Sequence, residues 1–365
     1  MNRSSPLNVV RVLACCALFC LISCANKPET INVGVILPLS GSAAELGNQH
    51  LHGLQLAVEE LNASHPEVVF DLIVDSDGGD PGAALDAFKR QLLKNKIQVS
   101  IVATRASCLA VVPQAENEFV PVFANCSHPL ITTMHINAFR NVPNAALEIR
   151  TMARFISASL KVDGIAALYF NDDSGNDAAK AVKNELSQAG IRILESEPFI
   201  DDRAAIESAV TLVMSVKPGA VWIFGGGKAT ADLLAGIRRT GYKGAIIGSS
   251  DFADPGFAAL AKESLEGCYY PVPTIELTGN AEFADRYRKR FNVEPTAVSI
   301  FEYDAMRIIA KATEMKRAEK VSMTNALKRV GDFSGTGGPY AYAEREWLPQ
   351  MNIVQVKAGS RVTIR

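Results

Sequence analysis

Residues 31–62 read INVGVILPLSGSAAELGNQHLHGLQLAVEELN and hold the pattern that decides the fold. The segment opens with an apolar run rich in β-branched side chains, which favours a buried strand. Further on, Leu54, Ala57, Val58 and Leu61 recur at helical spacing and form one apolar face. A strand followed directly by an amphipathic helix is the repeating unit of a parallel sheet covered by helices.

The same alternation continues along the chain and restarts after a break near residues 139–146. Short apolar runs such as VSIVAT and AVWIFG are followed by amphipathic segments. Asp80 is expected to cap a helix whose first residue is Pro81. The pattern predicts an α/β protein built from two Rossmann-like units in series, followed by further helices and C-terminal strands.

The N-terminus has the features of an export signal. Arg3 and Arg11 flank a positive region, and the apolar run VLACCALFCLIS that follows is too short to span a bilayer. LISC at the end of that run resembles a bacterial lipobox, which implies a signal peptide over residues 1–23, a lipidated Cys24 and a tether over residues 24–30. The alternative is a plain secretory signal cut near Ser23 or Ala25.

Export leaves three of the seven cysteines in the body of the protein. They are Cys108, Cys126 and Cys268, an odd number, so at least one thiol stays unpaired within the chain. Cys108 and Cys126 both follow apolar runs and are candidates to be neighbours, although sequence does not decide whether they form a disulfide.

Composition and motifs exclude several functions. The net charge of -2 gives no basic face for nucleic acid. FGGGKAT lacks the spacing of a phosphate loop and predicts a backbone turn instead. No cysteine or histidine spacing indicates a metal or another cofactor, and Ser107 and Cys108 have only His128 close in sequence, which does not make a catalytic triad. An enzyme is therefore not expected.

Several segments resemble one family over nearly the whole mature chain: INVGVILPLSGSAAELGNQHLHGLQLAVEELN, DSDGGDPGAALDAF, FRNVPN, GSSDFADPGF, LEGCYYPVP, FEYDAMRIIAKA and FSGTGGPYAYAE. The chain is similar to the type I periplasmic solute-binding proteins of ABC transporters, in the branch that binds leucine, isoleucine and valine. The resemblance implies two lobes joined by a three-crossover hinge. The N-terminal lobe would comprise residues 31–142 and 272–338, and the C-terminal lobe residues 143–271 and 339–365.

The implied function is capture of a small amino acid, amide or organic acid by closure of a cleft between the lobes. The solute would then pass to an ABC permease in the inner membrane. The resemblance thus implies a periplasmic, lipid-anchored monomer. A second hypothesis is a sensory or regulatory lipoprotein that uses the fold to contact a partner protein, because Ala25 after the lipidated cysteine favours the outer membrane in a Gram-negative cell.

In the first lobe, relatives hold the ligand carboxylate with a small hydroxylic motif at a helix N-terminus, an arrangement suited to anions. Here Arg105 occupies the place of the usual serine. Arg105 could pair with a carboxylate of the solute or with an acid elsewhere in the chain. Ser107 and Cys108, and Asn125 and Ser127 in the next loop, complete the expected contacts.

In the second lobe, Ser174 stands where relatives often have a tyrosine that packs on the ligand. Ser250 occupies the place of the usual ammonium-binding acid, and Asp251 follows one residue later. Gly227 lies in the glycine-rich turn at the expected cleft mouth. These residues all follow predicted strands, and the carboxyl ends of parallel strands are where ligands bind in such sheets. Arg140 of FRNVPN is expected to tie the hinge.

Overall fold

The computed structural model describes residues 28–128 and 131–364. The expected signal peptide, the site of lipidation at Cys24 and most of the tether lie outside the described residues. Within the part that is described, no helix combines the length and the apolar character needed to cross a membrane.

The first lobe is built on a parallel sheet with the strand order β2-β1-β3-β4-β5. Its strands and the helices of the first crossovers are β1 (Glu29–Leu37), α1 (Ala44–Ser64), β2 (Val68–Ser76), α2 (Pro81–Arg90), β3 (Val99–Ala103), α3 (Arg105–Asn117), β4 (Val122–Asn125), α4 (Ile131–Met134) and β5 (Ala138–Phe139). The expected cap is confirmed, because Asp80 Oδ1 accepts a hydrogen bond from Ala83 N at 2.7 Å and Pro81 begins α2.

The second lobe repeats this construction with the strand order β15-β14-β10-β9-β8-β6-β7. Its elements are α5 (Ala145–Phe155), β6 (Gly164–Phe170), α6 (Asp173–Gln188), β7 (Arg192–Phe199), α7 (Arg203–Ser215), β8 (Ala220–Phe224), α8 (Gly227–Arg239), β9 (Ala245–Gly248), α9 (Pro255–Ala261), β10 (Tyr269–Pro273), β14 (Met351–Lys357) and β15 (Ser360–Ile364). β14 and β15 run antiparallel to their neighbours. Apolar side chains cover both faces of each sheet, so the expected α/β architecture of two Rossmann-like lobes is confirmed.

The chain returns to the first lobe after β10. The returning elements are α10 (Thr274–Thr278), α11 (Ala281–Phe291), α12 (Ala297–Glu319), α13 (Met323–Arg329), β11 (Phe333–Gly335), β12 (Gly338–Ala343) and β13 (Glu346–Pro349). α12 packs beside α1, as the apolar spacing of both helices requires. Strands β11, β12 and β13 form a small antiparallel sheet of their own.

This small sheet corrects the lobe boundary expected between residues 338 and 339. Tyr340 and Trp347 lie in the same hydrophobic cluster as Phe123 and Phe139 of the first lobe. Their rings are nearly inaccessible to solvent, and Trp347 stacks on both phenylalanines. Residues 338–349 therefore belong with the first lobe, and the last passage to the second lobe occurs between β13 and β14.

Arg140 joins the first and last passages between the lobes. Its side chain is fully buried, pairs with Glu346, and donates to the carbonyls of Cys126 at 3.0 Å and His128 at 2.6 Å. Asn144 also donates to Glu346, at 2.8 Å. The structural role expected for Arg140 therefore has a physical basis, since one buried guanidinium holds the hinge strand and the loop after β4 together.

Candidate functional site

A cavity of about 430 Å³ lies at the carboxyl ends of the second-lobe strands, where open α/β sheets bind ligands. Ser127 is its contribution from the first lobe. The lining comprises Ser127, Ala145, Glu148, Ile149, Phe170, Asp172, Ser174, Gly175, Ala178, Phe224, Gly225, Gly226, Ser249, Ser250 and Asp251. The size suits a small solute with a few polar groups.

Four of the residues expected from the sequence line this cavity: Ser127, Ser174, Ser250 and Asp251. Gly227 does not, because it is already the first residue of α8, and its neighbours Gly225 and Gly226 form the turn that faces the cavity. The turn is in the expected place, shifted by one to two residues.

Arg105 takes the second of its two expected roles. Its guanidinium pairs with Asp177 of α6 at 2.7 Å, and both side chains are largely shielded from solvent. Arg105 begins α3 in the first lobe, so this ion pair connects the two lobes next to the cavity. The arginine that replaces the usual hydroxyl is thus neutralised by the protein itself.

Ser107 and Cys108 lie in the first turn of α3 with their side chains buried. The Ser107 hydroxyl donates to Asp77 at 2.6 Å, and the Cys108 thiol donates to the carbonyl of Val102 at 3.2 Å. Neither side chain lines the cavity. Thr104, just before this turn, has φ = 70° and ψ = 147°, an unusual conformation for a β-branched residue that shapes the exit from β3.

Asn125 is also turned inward. Its amide donates to Glu302 at 2.5 Å, and His50 contacts the same carboxylate oxygen at 2.5 Å. All three side chains are buried in the first lobe. Asn125 therefore anchors the end of β4, and the residue that this strand end presents to the cavity is Ser127.

Cys108 and Cys126 are neighbours, as the sequence suggested, and both are free thiols. Burial raises the pKa of Cys108 well above its ordinary value, so this thiol stays protonated at neutral pH. A buried, protonated thiol packs as a small apolar side chain and does not act as a nucleophile.

The most unusual residue of the cavity is Glu148 of α5, which was not among the residues predicted from the sequence. Its carboxylate accepts hydrogen bonds from the Ser250 hydroxyl at 2.7 Å and from the Ser250 amide at 3.3 Å. Burial raises the pKa of Glu148 to about 7, and the charges of Asp251 and Glu276 act in the same direction. An acid in the first turn of a helix is ordinarily explained by the helix dipole, which is why NAALEIR gives no direct sign of a site.

Two further carboxylates accompany Glu148. Asp172 caps α6 by accepting from Gly175 N at 2.8 Å, and Asp251 accepts from the Ser249 hydroxyl at 2.8 Å. Desolvation by the surrounding walls of the cleft also raises the pKa of Asp251, although solvent still reaches its side chain. The NDD and SSD turns of the sequence could have indicated these acids, although such turns are more often simple caps.

In the described part of the chain, no three or more His, Cys, Asp or Glu side chains are grouped so that they could hold a metal ion. The carboxylates of the cavity lie in the first turn of α5 and in two separate loops, and they are engaged by serine and backbone donors. The arrangement is suited to hydrogen bonding and charge pairing with a solute.

The sequence model of the periplasmic binding protein family matches residues 30–361. The Leu/Ile/Val-binding protein homolog 7 of Brucella suis is 25% identical over 336 residues, which cover 85% of this chain and 84% of that protein. The leucine-binding protein of Thermotoga maritima superposes with a TM-score of 0.75 at 21% identity, covering 92% of this chain and 98% of the other.

A solute-binding protein of an ABC transporter from Rhodopseudomonas palustris, solved with 3,4-dihydroxybenzoic acid, gives a TM-score of 0.72 at 18% identity. That alignment covers 92% of this chain and 96% of the other. The fold is therefore shared by proteins whose ligands differ in chemistry.

Proposed function

The chain belongs to the periplasmic binding protein family, and from that premise we propose that it is a lipid-anchored, extracytoplasmic protein that captures a small solute and delivers it to an ABC importer. The family consists of solute-binding proteins and not of enzymes. It is periplasmic or extracytoplasmic, which agrees with an exported chain.

One observation carries the proposal for solute capture. The cavity lies between a first-lobe loop, through Ser127, and second-lobe loops, through Ser174, Ser250 and Asp251. A solute held there would contact both lobes, and contacts made in only one arrangement of the lobes shift the hinge equilibrium toward it. We retain these four residues as proposed solute contacts.

Binding is tested on protein that has been unfolded, dialysed free of solute and refolded. Thermal shift and calorimetry against amino acids, amides, amines and small organic acids should identify one class that stabilises the protein. A ligand present at about one hundred times its Kd adds about 2.7 kcal/mol to the free energy of unfolding. Absence of any shift across the panel would contradict solute capture.

The lipid anchor is tested separately on the full chain. Expressed in a bacterium, the protein should fractionate with membranes, and Cys24→Ser should release it into the soluble periplasmic fraction. Cys268→Ser is the matched control, because Cys268 is a buried thiol of the mature body. Release of both variants, or of neither, would refute lipidation at Cys24.

A sensory or regulatory lipoprotein is the second candidate, and the sequence feature in its favour is Ala25, because a residue other than Asp after a lipidated cysteine favours the outer membrane in Gram-negative cells. Separation of inner and outer membranes distinguishes the two candidates. Residence in the outer membrane would remove the protein from an inner-membrane permease and favour the sensory role.

A further inference from the structure

We propose that the solute is a small organic cation without a carboxylate, an amine or a guanidine, and that Glu148 and Asp251 receive its positive group. This inference rests on the proposed function, because it names the chemical class that fits the cavity already assigned to the solute. It departs from the amino-acid ligands that the resemblance implied.

The charges of the cavity lining have one sign. Its ionisable side chains are Glu148, Asp172 and Asp251, and none of the lining residues is Lys, Arg or His. Glu148 is partly buried, whereas Asp172 and Asp251 are open to the cleft. Each carboxylate has two oxygens and about four acceptor positions, and the hydrogen bonds from serine and backbone donors leave acceptors toward the cavity.

Two first-lobe side chains that could receive a carboxylate, those of Arg105 and Ser107, are engaged by carboxylates of the protein. Arg105 pairs with Asp177 at 2.7 Å. The Ser107 hydroxyl donates to Asp77 at 2.6 Å, and the Ser107 amide donates to Thr104 Oγ1 at 3.3 Å. An incoming carboxylate would have to displace Asp177 from Arg105 or Asp77 from Ser107. Both acids are side chains of the protein and are therefore always present at the site.

These two observations act together. A solute carboxylate would add a negative charge to a cavity lined by three carboxyl groups, while Asp77 and Asp177 compete for the available donors. A solute cation would instead neutralise acids that now repel one another, and attraction between opposite charges strengthens in a partly desolvated site. Rejection of the carboxylate is as much a part of this selectivity as attraction of the cation.

Because of Glu148, binding of the cation should depend on pH. The charged groups that act on Glu148 are Asp251 of the cavity and Glu276 of α10, the last of which faces Arg361 at 3.7 Å. Asp172 lines the same cavity. Burial holds the pKa of Glu148 at about 7. A cation binds the ionised form, so affinity should rise roughly tenfold between about pH 6 and pH 8 as that form becomes the major one. An alkyl amine stays protonated throughout this range.

The test uses pairs of probes that differ only by a carboxylate. Isothermal titration of solute-free, full-length mature protein compares isoamylamine with leucine, and agmatine with arginine. In at least one pair the amine should bind tenfold or more tightly than its amino acid, and more tightly at pH 8 than at pH 6. Equal or tighter binding of the amino acids would overturn the inference.

Two variants locate the binding of the cation. Glu148→Gln keeps the shape of the side chain and should weaken binding of the amine at least tenfold and remove its dependence on pH. Asp251→Asn should also weaken it. Glu207→Gln is the matched control, because Glu207 lies exposed on α7 of the same lobe and pairs with Arg203. Unchanged affinity in Glu148→Gln would overturn the assignment.

Failure of this inference is distinguishable from failure of the proposed function. Binding of leucine, arginine or benzoate without binding of either amine would overturn the inference and leave solute capture intact. Absence of binding by every probe, together with absence of any co-purified solute by mass spectrometry, would overturn both.

Discussion

Replacing Glu148 by glutamine should change how the stability of the protein depends on pH, whatever the solute is. The folded state holds the pKa of Glu148 at about 7 because the carboxyl is buried, whereas an unfolded glutamate titrates near 4.3. Between about pH 4.5 and 7 the folded protein therefore binds a proton that the unfolded chain has already lost. Stability from this group is complete at low pH and is lost as pH rises through 7.

The magnitude follows from the difference between the two pKa values. A difference of about 2.7 units at 1.36 kcal/mol per unit gives about 3.7 kcal/mol in total, of which about 3 kcal/mol is lost between pH 4.5 and 8. Glutamine occupies the same space and does not ionise. The free energy of unfolding of Glu148→Gln relative to wild type should therefore increase by about 3 kcal/mol from pH 4.5 to pH 8.

Urea unfolding followed by tryptophan fluorescence measures this difference. Trp222 packs in the same hydrophobic cluster as Ile149, the neighbour of Glu148, so its emission reports on this part of the second lobe. Glu207→Gln should parallel wild type at every pH because its carboxylate is exposed. Stability curves of Glu148→Gln and wild type that run parallel from pH 4.5 to 8 would refute the argument from burial.

Three further predictions concern the hinge, the contact between lobes and the cavity wall. Arg140→Met should lower the free energy of unfolding by about 3–5 kcal/mol because it leaves a buried carboxylate unpaired, and a loss below about 1 kcal/mol in urea titrations would count against that role. Arg105→Ala and Asp177→Ala should be non-additive in a double-mutant cycle, with a coupling of about 0.5–1 kcal/mol; simple additivity would mean that the ion pair does not stabilise the protein. Gly175→Ala should cost about 1–3 kcal/mol, because the new methyl group would lie 1.9 Å from a strand carbonyl. Gly82→Ala, whose methyl group would approach only the side-chain oxygen of Asp80 at 3.1 Å, should reduce thermal stability less.

The order of elements could be predicted because its causes are local. The apolar run after Glu29 and the helical spacing of Leu54, Ala57, Val58 and Leu61 each act over a few residues, and repetition of that unit requires parallel sheets with covered faces. The same logic places loops at the strand ends. Ser127, Ser174, Ser250 and Asp251 could therefore be assigned to the cleft from sequence and do line its cavity.

The lobe boundary near residue 338 could not be predicted in this way. Tyr340 and Trp347 belong to a short antiparallel sheet whose alternating pattern fits either lobe. The choice depends on stacking of Trp347 against Phe123 and Phe139, which are more than 200 positions away in the chain. Local patterns carry no information on such a contact.

The chemistry of the cavity was likewise decided by tertiary structure. From the sequence, Arg105 could bind a ligand carboxylate. In the folded chain, Asp177, 72 residues later, pairs with Arg105 and neutralises its charge. The sequence does not mark Glu148 as a site residue. Only in the folded chain does α5 place it beside Ser250, where burial raises its pKa. Local sequence determined the two lobes and the positions of their loops, since backbone preference and apolar periodicity act over short distances. Charge pairing and desolvation, and with them the chemical class of the proposed solute, depend on groups that only the folded chain brings together.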